Sequence, residues 1–558
     1  MRSSPRAAPL LAFLLALPAG AGAQQASPPG SIQRSVEVRV TSLDVVVTDR
    51  RGTRVTGLTA ADFEVREDGA VQTITNFSEV GAIGRAASPV PAPGPAGSEP
   101  APPDRAAAPE APAPARPETS LVLFVDNLHL SVPNRNRALA DVRGLLRRSA
   151  EAGVPVLVVS SERSPKIRQR FTTDVALLDR AVDDLLKESA LGAMAEASRR
   201  ATFQGIDQAM RDRKPQVAEA LARTYAESTK LDLYTSLEAL ERTIAQLAAL
   251  EGRKVLVHVS DGLQQAPGGD AFAFLRSFSG GGRGIGPGTV PGADDSAERY
   301  SRLTRSAAAA RVALHTVDAT GLSEETLTGA DTQFRSTGRI EPFATRMNLQ
   351  SMLAHLADET GGTAVLNRNQ LAEPLAEVED DLSSYYSIGY ESPRADEDAT
   401  HAVEVRVKRP GLRARSQRSL RVKSADSRVA EGVAAALFFG REENPFGVTV
   451  ESGEPRHEGK RVLFPIRVRV PATRLVLLPE GTGSRGSAVF YFQVRDQEGR
   501  LSDLVRQELS LRDDGEVVHE ATLEMRRGRQ VLSLAVRDGT SGIASYVQKT
   551  VVIPDVKK

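Results

Sequence analysis

Three acidic side chains stand where a parallel sheet presents chemistry. Asp126 ends the apolar run SLVLFVD, Asp261 follows KVLVHVS, and Asp318 ends RVALHTVD. In an open parallel sheet, ligands gather outside the carboxyl ends of the strands, where the strand order reverses. Carboxylates converging there suit a hard divalent cation such as magnesium, which takes oxygen ligands and keeps several waters. The same aspartates also have a simpler use, capping the helices or turns that follow. From these residues alone, both readings stay open.

Other chemistry is sparse. The seven histidines are scattered, with no H-E-x-x-H pair for zinc. His258 and His315 lie inside apolar runs and read as core residues. There is no G-x-S-x-G elbow and no phosphate-binding loop. The glycine-rich stretch Gly280–Gly288 follows no strand, so it reads as a loop within the insertion Leu263–Glu298. The charged stretch Arg199–Arg213 reads as a solvated helix face.

The elements that must position the aspartates alternate. Continuous apolar runs at Ser120–Asp126, Val154–Ser161, Lys254–Gly262 and Arg311–Asp318 have the pattern of strands buried on both faces. Helical periodicity covers Arg135–Glu151, Asp174–Leu186, much of Ala193–Leu250, Asp295–Ala310, Leu349–Glu359 and Leu371–Ser384, with a short strand at Thr363–Leu366. Strands alternating with helices imply a doubly wound, mainly parallel α/β sheet with helices on both faces.

Strand patterns flank this region. Residues 31–82 read as a small N-terminal β unit, with a hairpin turn at Asp68-Gly69. Eleven prolines between Pro89 and Pro117 make 83–118 an extended spacer that cannot bury a core. The α/β domain and a β meander occupy 119–425. After a short helix near Arg428–Phe438, the strands of 430–558 fit a β-sandwich. At the start, Arg2 and Arg6, the apolar run to Leu17 and Ala21-Gly22-Ala23 form a secretory signal over 1–23. No later run is apolar enough to span a bilayer, so no transmembrane segment is expected after signal cleavage.

The 558 residues carry 71 basic and 71 acidic side chains, and this balance gives nucleic acid no field to follow. With no cysteine, disulfides, thiolate metal sites and a cysteine nucleophile are excluded. With no tryptophan and 4% aromatics, stacking platforms for single strands are disfavoured.

The order LVLFVD…VLVHVSDG resembles a von Willebrand factor A (VWA) domain. VTSLDVVVTDRRGTRVTGLTAADFEVREDGAVQTI, the spacer, and YYSIGYES…AVEVRVKRPGLRARS resemble the von Willebrand factor A-related proteins of the Acidobacteria, over residues 35–420. The stretch Leu58–Gly69 is the most specific part. The resemblance implies a Rossmann-type fold and a divalent ion held by Asp-x-Ser-x-Ser, a threonine and a later aspartate. Here Asp126 matches, Leu128 and Leu130 replace both serines, and Ser131 is one residue out of register. Leu231 takes the place of the threonine, with Thr229 a poor substitute, and Asp261 is intact.

The expected protein is an exported, periplasmic or extracellular, non-enzymatic interaction module with a degenerate metal-ion-dependent adhesion site. Its tentative metal residues are Asp126, Ser131 and Asp261, with no cofactor or a weakly bound Mg2+. Its partner is expected to be a protein or cell-envelope ligand. Two alternatives remain: a divalent-metal-dependent envelope hydrolase working through Asp126, Asp261 and Asp318, and a purely structural envelope protein.

Overall fold

The computed structural model describes residues 40–81, 119–250, 252–278, 293–322, 342–392, 398–440, 443–458, 461–480, 483–512 and 515–553. The expected signal segment, the spacer 83–118 and the loop Gly280–Gly288 lie outside them.

A six-stranded sheet forms the centre of the mixed α/β fold. Strand Thr119–Asp126 lies between Val156–Ser161 and Arg253–Ser260, and the latter pairs with Val312–Asp318, which pairs with Ala364–Val365. All these pairs are parallel. Pro165–Thr172 adds an antiparallel edge beside Val156–Ser161. Its sequence, PKIRQRFT, is too charged and too half-buried to show as a run of core residues.

Strand order reverses between Thr119–Asp126 and Arg253–Ser260. Helices Val132–Glu151, Val175–Lys187 and Ala372–Ser383 bury Leu139, Leu145, Val182 and Leu375 on one face of the sheet. Helices Pro215–Leu247, Ala293–Ala309 and Pro342–Thr360 bury Leu237, Ile244, Leu303 and Leu353 on the other. Asp126 and Asp261 therefore stand at the switch point.

The long helical stretch expected from Ala193 to Leu250 is two helices, Gly192–Arg211 and Pro215–Leu247. Arg213 takes a positive φ of 58° and Pro215 starts the second helix, where its missing N–H costs nothing. With helix Gly269–Ser277, from the insertion read as loop, they bury Phe203, Ile206, Tyr225 and Phe274 in a core of their own.

Segments 40–80 and 385–421 share two sheets. Val40–Thr48 sits between Tyr385–Glu391 and Arg413–Arg415, and Ile74–Val80 pairs with the far side of Tyr385–Glu391. Phe63–Glu67 pairs with Thr400–Val407. Leu43, Val45 and Ile388 from one sheet meet Phe63, Val65 and Val403 from the other. Apart from the hairpin that pairs Phe63–Glu67 with Ala70–Gln72, the strands before the spacer take their sheet partners from the meander.

Helix Ala425–Phe439 packs Val429 and Val433 against Val489, Tyr491 and Ala535. Beyond it, two antiparallel sheets from Thr449 to Ile553 enclose Phe464, Val468, Phe490, Phe492 and Leu534.

Candidate functional site

Asp126 is fully buried at the end of its strand. Its Oδ2 lies 2.8 Å from His129 Nδ1, and it accepts hydrogen bonds from Ser236 Oγ at 2.7 Å and Ser260 Oγ at 3.3 Å. Its Oδ1 is buried with no hydrogen-bond partner. Burial opposes ionisation, yet the charge and hydrogen bond of His129, with Ser236 assisting, hold its pKa down to about 2. The reciprocal effect acts on His129: burial disfavours its charged form, but Asp126, Asp232 and Asp261 outweigh that and raise its pKa.

Asp261 occupies the adjacent strand end. Its Oδ2 accepts from the Ser131 backbone N–H at 2.8 Å and from Asn134 Nδ2 at 3.0 Å, while Oδ1 is buried without a partner. Ser131 is the N-cap of helix Val132–Glu151, whose positive end favours a carboxylate. Burial still dominates and pushes the Asp261 pKa up to about 6.

Asp318 does not present an open carboxylate. Its Oδ1 accepts from the Thr320 N–H and hydroxyl, and its Oδ2 from Gln350 Nε2. Asn127 is also committed, to Glu188 and Arg135. Fully buried Arg135 donates to the carbonyls of Leu186 and Glu188, fastening the site loop to the end of the neighbouring helix.

The two leucines in the motif are core residues: Leu130 is inaccessible and Leu128 nearly so. The threonine position is where expectation fails. Leu231 lies in the middle of the helix Pro215–Leu247 and is 66% exposed, and the Thr229 hydroxyl donates to the Tyr225 carbonyl one turn back. The hydroxyl that reaches Asp126 from this helix belongs to Ser236, which spacing from a loop could not find because no loop exists there.

His258 is not the satisfied core histidine expected. It is buried 3.9 Å from Asp126 Oδ2, neither ring nitrogen has a hydrogen-bond partner, and burial lowers its pKa to about 4. His315 is half satisfied: its Nδ1 accepts from the Thr363 N–H, while its Nε2, 3.5 Å from Asp381, has no hydrogen-bond partner.

This donor set lacks the hydroxyl ligands that the resemblance implies, since Leu128, Leu130 and Leu231 stand in their places. Asp126 Oδ1 and Asp261 Oδ1 are buried without a hydrogen-bond partner, while Asp126 Oδ2 accepts from Ser236 and lies beside the His129 imidazole. Among the described residues, no group of three or more histidines or carboxylates is arranged to hold a metal.

Large apolar side chains are exposed on the helices that touch this site. Val132 follows the N-cap and is 38% exposed; Leu231 precedes Asp232, whose charge acts on His129. Met194, 70% exposed, stands at the start of the helix whose Gly192 touches the site loop. A Cβ at Gly192 would meet the carbonyl oxygens of His129 and Leu130 at 2.5 and 2.6 Å, so only glycine permits that approach. Met347, 49% exposed, precedes Asn348, whose side chain bonds Ala266 in the loop beyond Asp261.

No family model matches the chain, and no curated protein matches it. Solved structures do. An aerotolerance-related membrane protein from Bacteroides fragilis aligns at 10% identity, covering 47% of this chain and 98% of its own, with a TM-score of 0.23. The type V pili tip protein Mfa5 from Porphyromonas gingivalis aligns at 9% identity over 79% of this chain and 71% of its own, with a TM-score of 0.24. The pilus adhesin SpaC from Lactobacillus rhamnosus GG aligns at 11% identity over 78% and 54%, with a TM-score of 0.25.

Proposed function

We propose that the chain is an exported, non-enzymatic interaction protein of the von Willebrand factor A type. It receives a protein or cell-envelope ligand at the carboxyl end of its central sheet, without a bridging metal. One observation carries this reading: Val132, Met194, Leu231 and Met347 are exposed on the four helices that touch the loops holding Asp126 and Asp261. Large apolar side chains exposed on elements that meet at a switch point are what a recognition surface presents. The first-strand motif, the order of the sheet and its antiparallel edge support the family assignment. Export is supported by the basic, apolar and small-residue pattern of 1–23; no described helix is long and apolar enough to cross a membrane.

The test is retention of envelope components on the immobilised mature chain, in magnesium and in chelator, against Met194→Asp and Leu231→Asp variants. The reading expects the same component retained in both buffers and lost with either variant. Retention only in magnesium, or retention indifferent to both substitutions, would overturn it.

A further inference from the structure

At the amino end of the central sheet, away from the crevice, the structure holds a cavity of about 330 Å³. Its wall combines Arg54 and Arg415 from the strand-rich segments with Thr363, Glu377, Asp380 and Asp381 from the α/β region. The floor is small: Gly52, Ala354, Ala357, Gly362 and Ala364 leave it open. Gly362 is required there, since a Cβ would sit 1.8 Å from the Leu314 carbonyl oxygen.

The charges behind the wall do not balance. Asp381 is buried and accepts from Arg415 Nη2 at 2.9 and 2.7 Å and from Arg54 Nη2, while its carbonyl accepts from buried Arg253. Two guanidiniums thus share one carboxylate, with a third held on the backbone carbonyl of the same residue. His315, beside Asp381, adds no charge near neutrality, because burial lowers its pKa to about 3. Both terminal nitrogens of Arg415 are engaged, Nη1 on Thr363 and Nη2 on Asp381, but Arg54 Nη1 is buried and has no acceptor. A buried donor on a charged group is costly to leave unpaired. The rim has the opposite sign: Glu377 and Asp380 are exposed to solvent.

We infer that this cavity is a binding site for a small zwitterion of the amino-acid type, its carboxylate on Arg54 and its ammonium toward Glu377 and Asp380. A simple anion would face the acidic rim unaided, and a simple cation would face the guanidiniums. Only a ligand with both charges satisfies both walls, and the cavity lies at the small end of ligand pockets. The alanine and glycine floor leaves room for an aliphatic side chain.

The experiment titrates the mature chain calorimetrically with leucine and with its two halves, 4-methylpentanoate and 3-methylbutylamine. Leucine should bind, 4-methylpentanoate should bind more weakly, and the amine should not bind. Arg54→Met should weaken leucine by about tenfold or more, as loss of a charge-assisted hydrogen bond does. The rim variant Glu377→Gln with Asp380→Asn removes only exposed groups, so it tests the idea in a folded protein. It should weaken leucine and strengthen 4-methylpentanoate. No heat with leucine, leucine binding unchanged in Arg54→Met, or a rim variant that leaves the leucine to 4-methylpentanoate ratio unaltered would each overturn the assignment.

Discussion

Ser236 Oγ donates to Asp126 Oδ2 across 2.7 Å, although 110 residues separate them in sequence. Both groups are buried, so the bond fixes the height of helix Pro215–Leu247 against the end of the first sheet strand. Ser236→Ala removes one donor from a buried carboxylate and should cost about 1–3 kcal/mol. Urea denaturation measures this; a midpoint equal to that of the parent would mean the hydroxyl is dispensable.

The central sheet was legible because its strands are buried on both faces and read as unbroken apolar runs. Pairing was less legible, since period-two alternation gives a strand its faces but not its partner. Val45 opposes Tyr386 across the whole α/β region, and nothing local in either segment announces it. Asp126 and Asp261 were visible as strand-end carboxylates, whereas their ligands were not. A signal for Ser236 did exist: it stands among Leu233, Leu237 and Leu240 on an apolar helix face, where a buried hydroxyl needs a partner. His129 stands three residues past Asp126, and its approach to that carboxylate depends on the turn of the loop, which spacing does not give.

Arg135 is a buried cation held by neutral acceptors. Burial lowers its pKa, and the nearby charge of Glu188 opposes that. Arg135→Ala strips donors from the carbonyls of Leu186 and Glu188 and leaves a large void, at a cost of about 3–5 kcal/mol. Arg135→Lys, with one point charge in place of a fork, should recover less than half of that loss. Thermal unfolding of both variants decides this, and equal stability of lysine and arginine would refute it.

Lys254 gives the fold a pH dependence. It is buried at the start of its strand and donates to the Leu250 carbonyl; burial, with Arg311 and Lys423 nearby, lowers its pKa from 10.5 to about 7. Between those values the unfolded chain holds the extra proton. This contribution to stability therefore falls as pH drops from about 10 toward 7 and levels off below. Lys254→Met removes the titration and should be the more stable protein at pH 7 by roughly 1–3 kcal/mol, after allowing for the lost hydrogen bond. The gap should close as pH rises. Chemical denaturation of both proteins from about pH 7 to 10 checks the sign, and a gap that widens with pH would contradict it.

Because Val40–Thr48 is hydrogen-bonded on both sides by strands that follow the α/β region, the covalent link through 83–118 is not what holds it. Leu43, Val45, Val47, Phe63 and Val65 are all buried in the shared core. At about 2 kcal/mol each, their burial supplies roughly 10 kcal/mol, enough to offset much of the entropy of joining two pieces. A protease site inserted between Pro95 and Ala96 should therefore be cut without release of the amino-terminal fragment. The two pieces should co-elute from a sizing column in native buffer and separate in denaturant. If the fragment instead eluted alone in native buffer, the sheets joining 40–80 to 385–421 would not be the stable arrangement in solution.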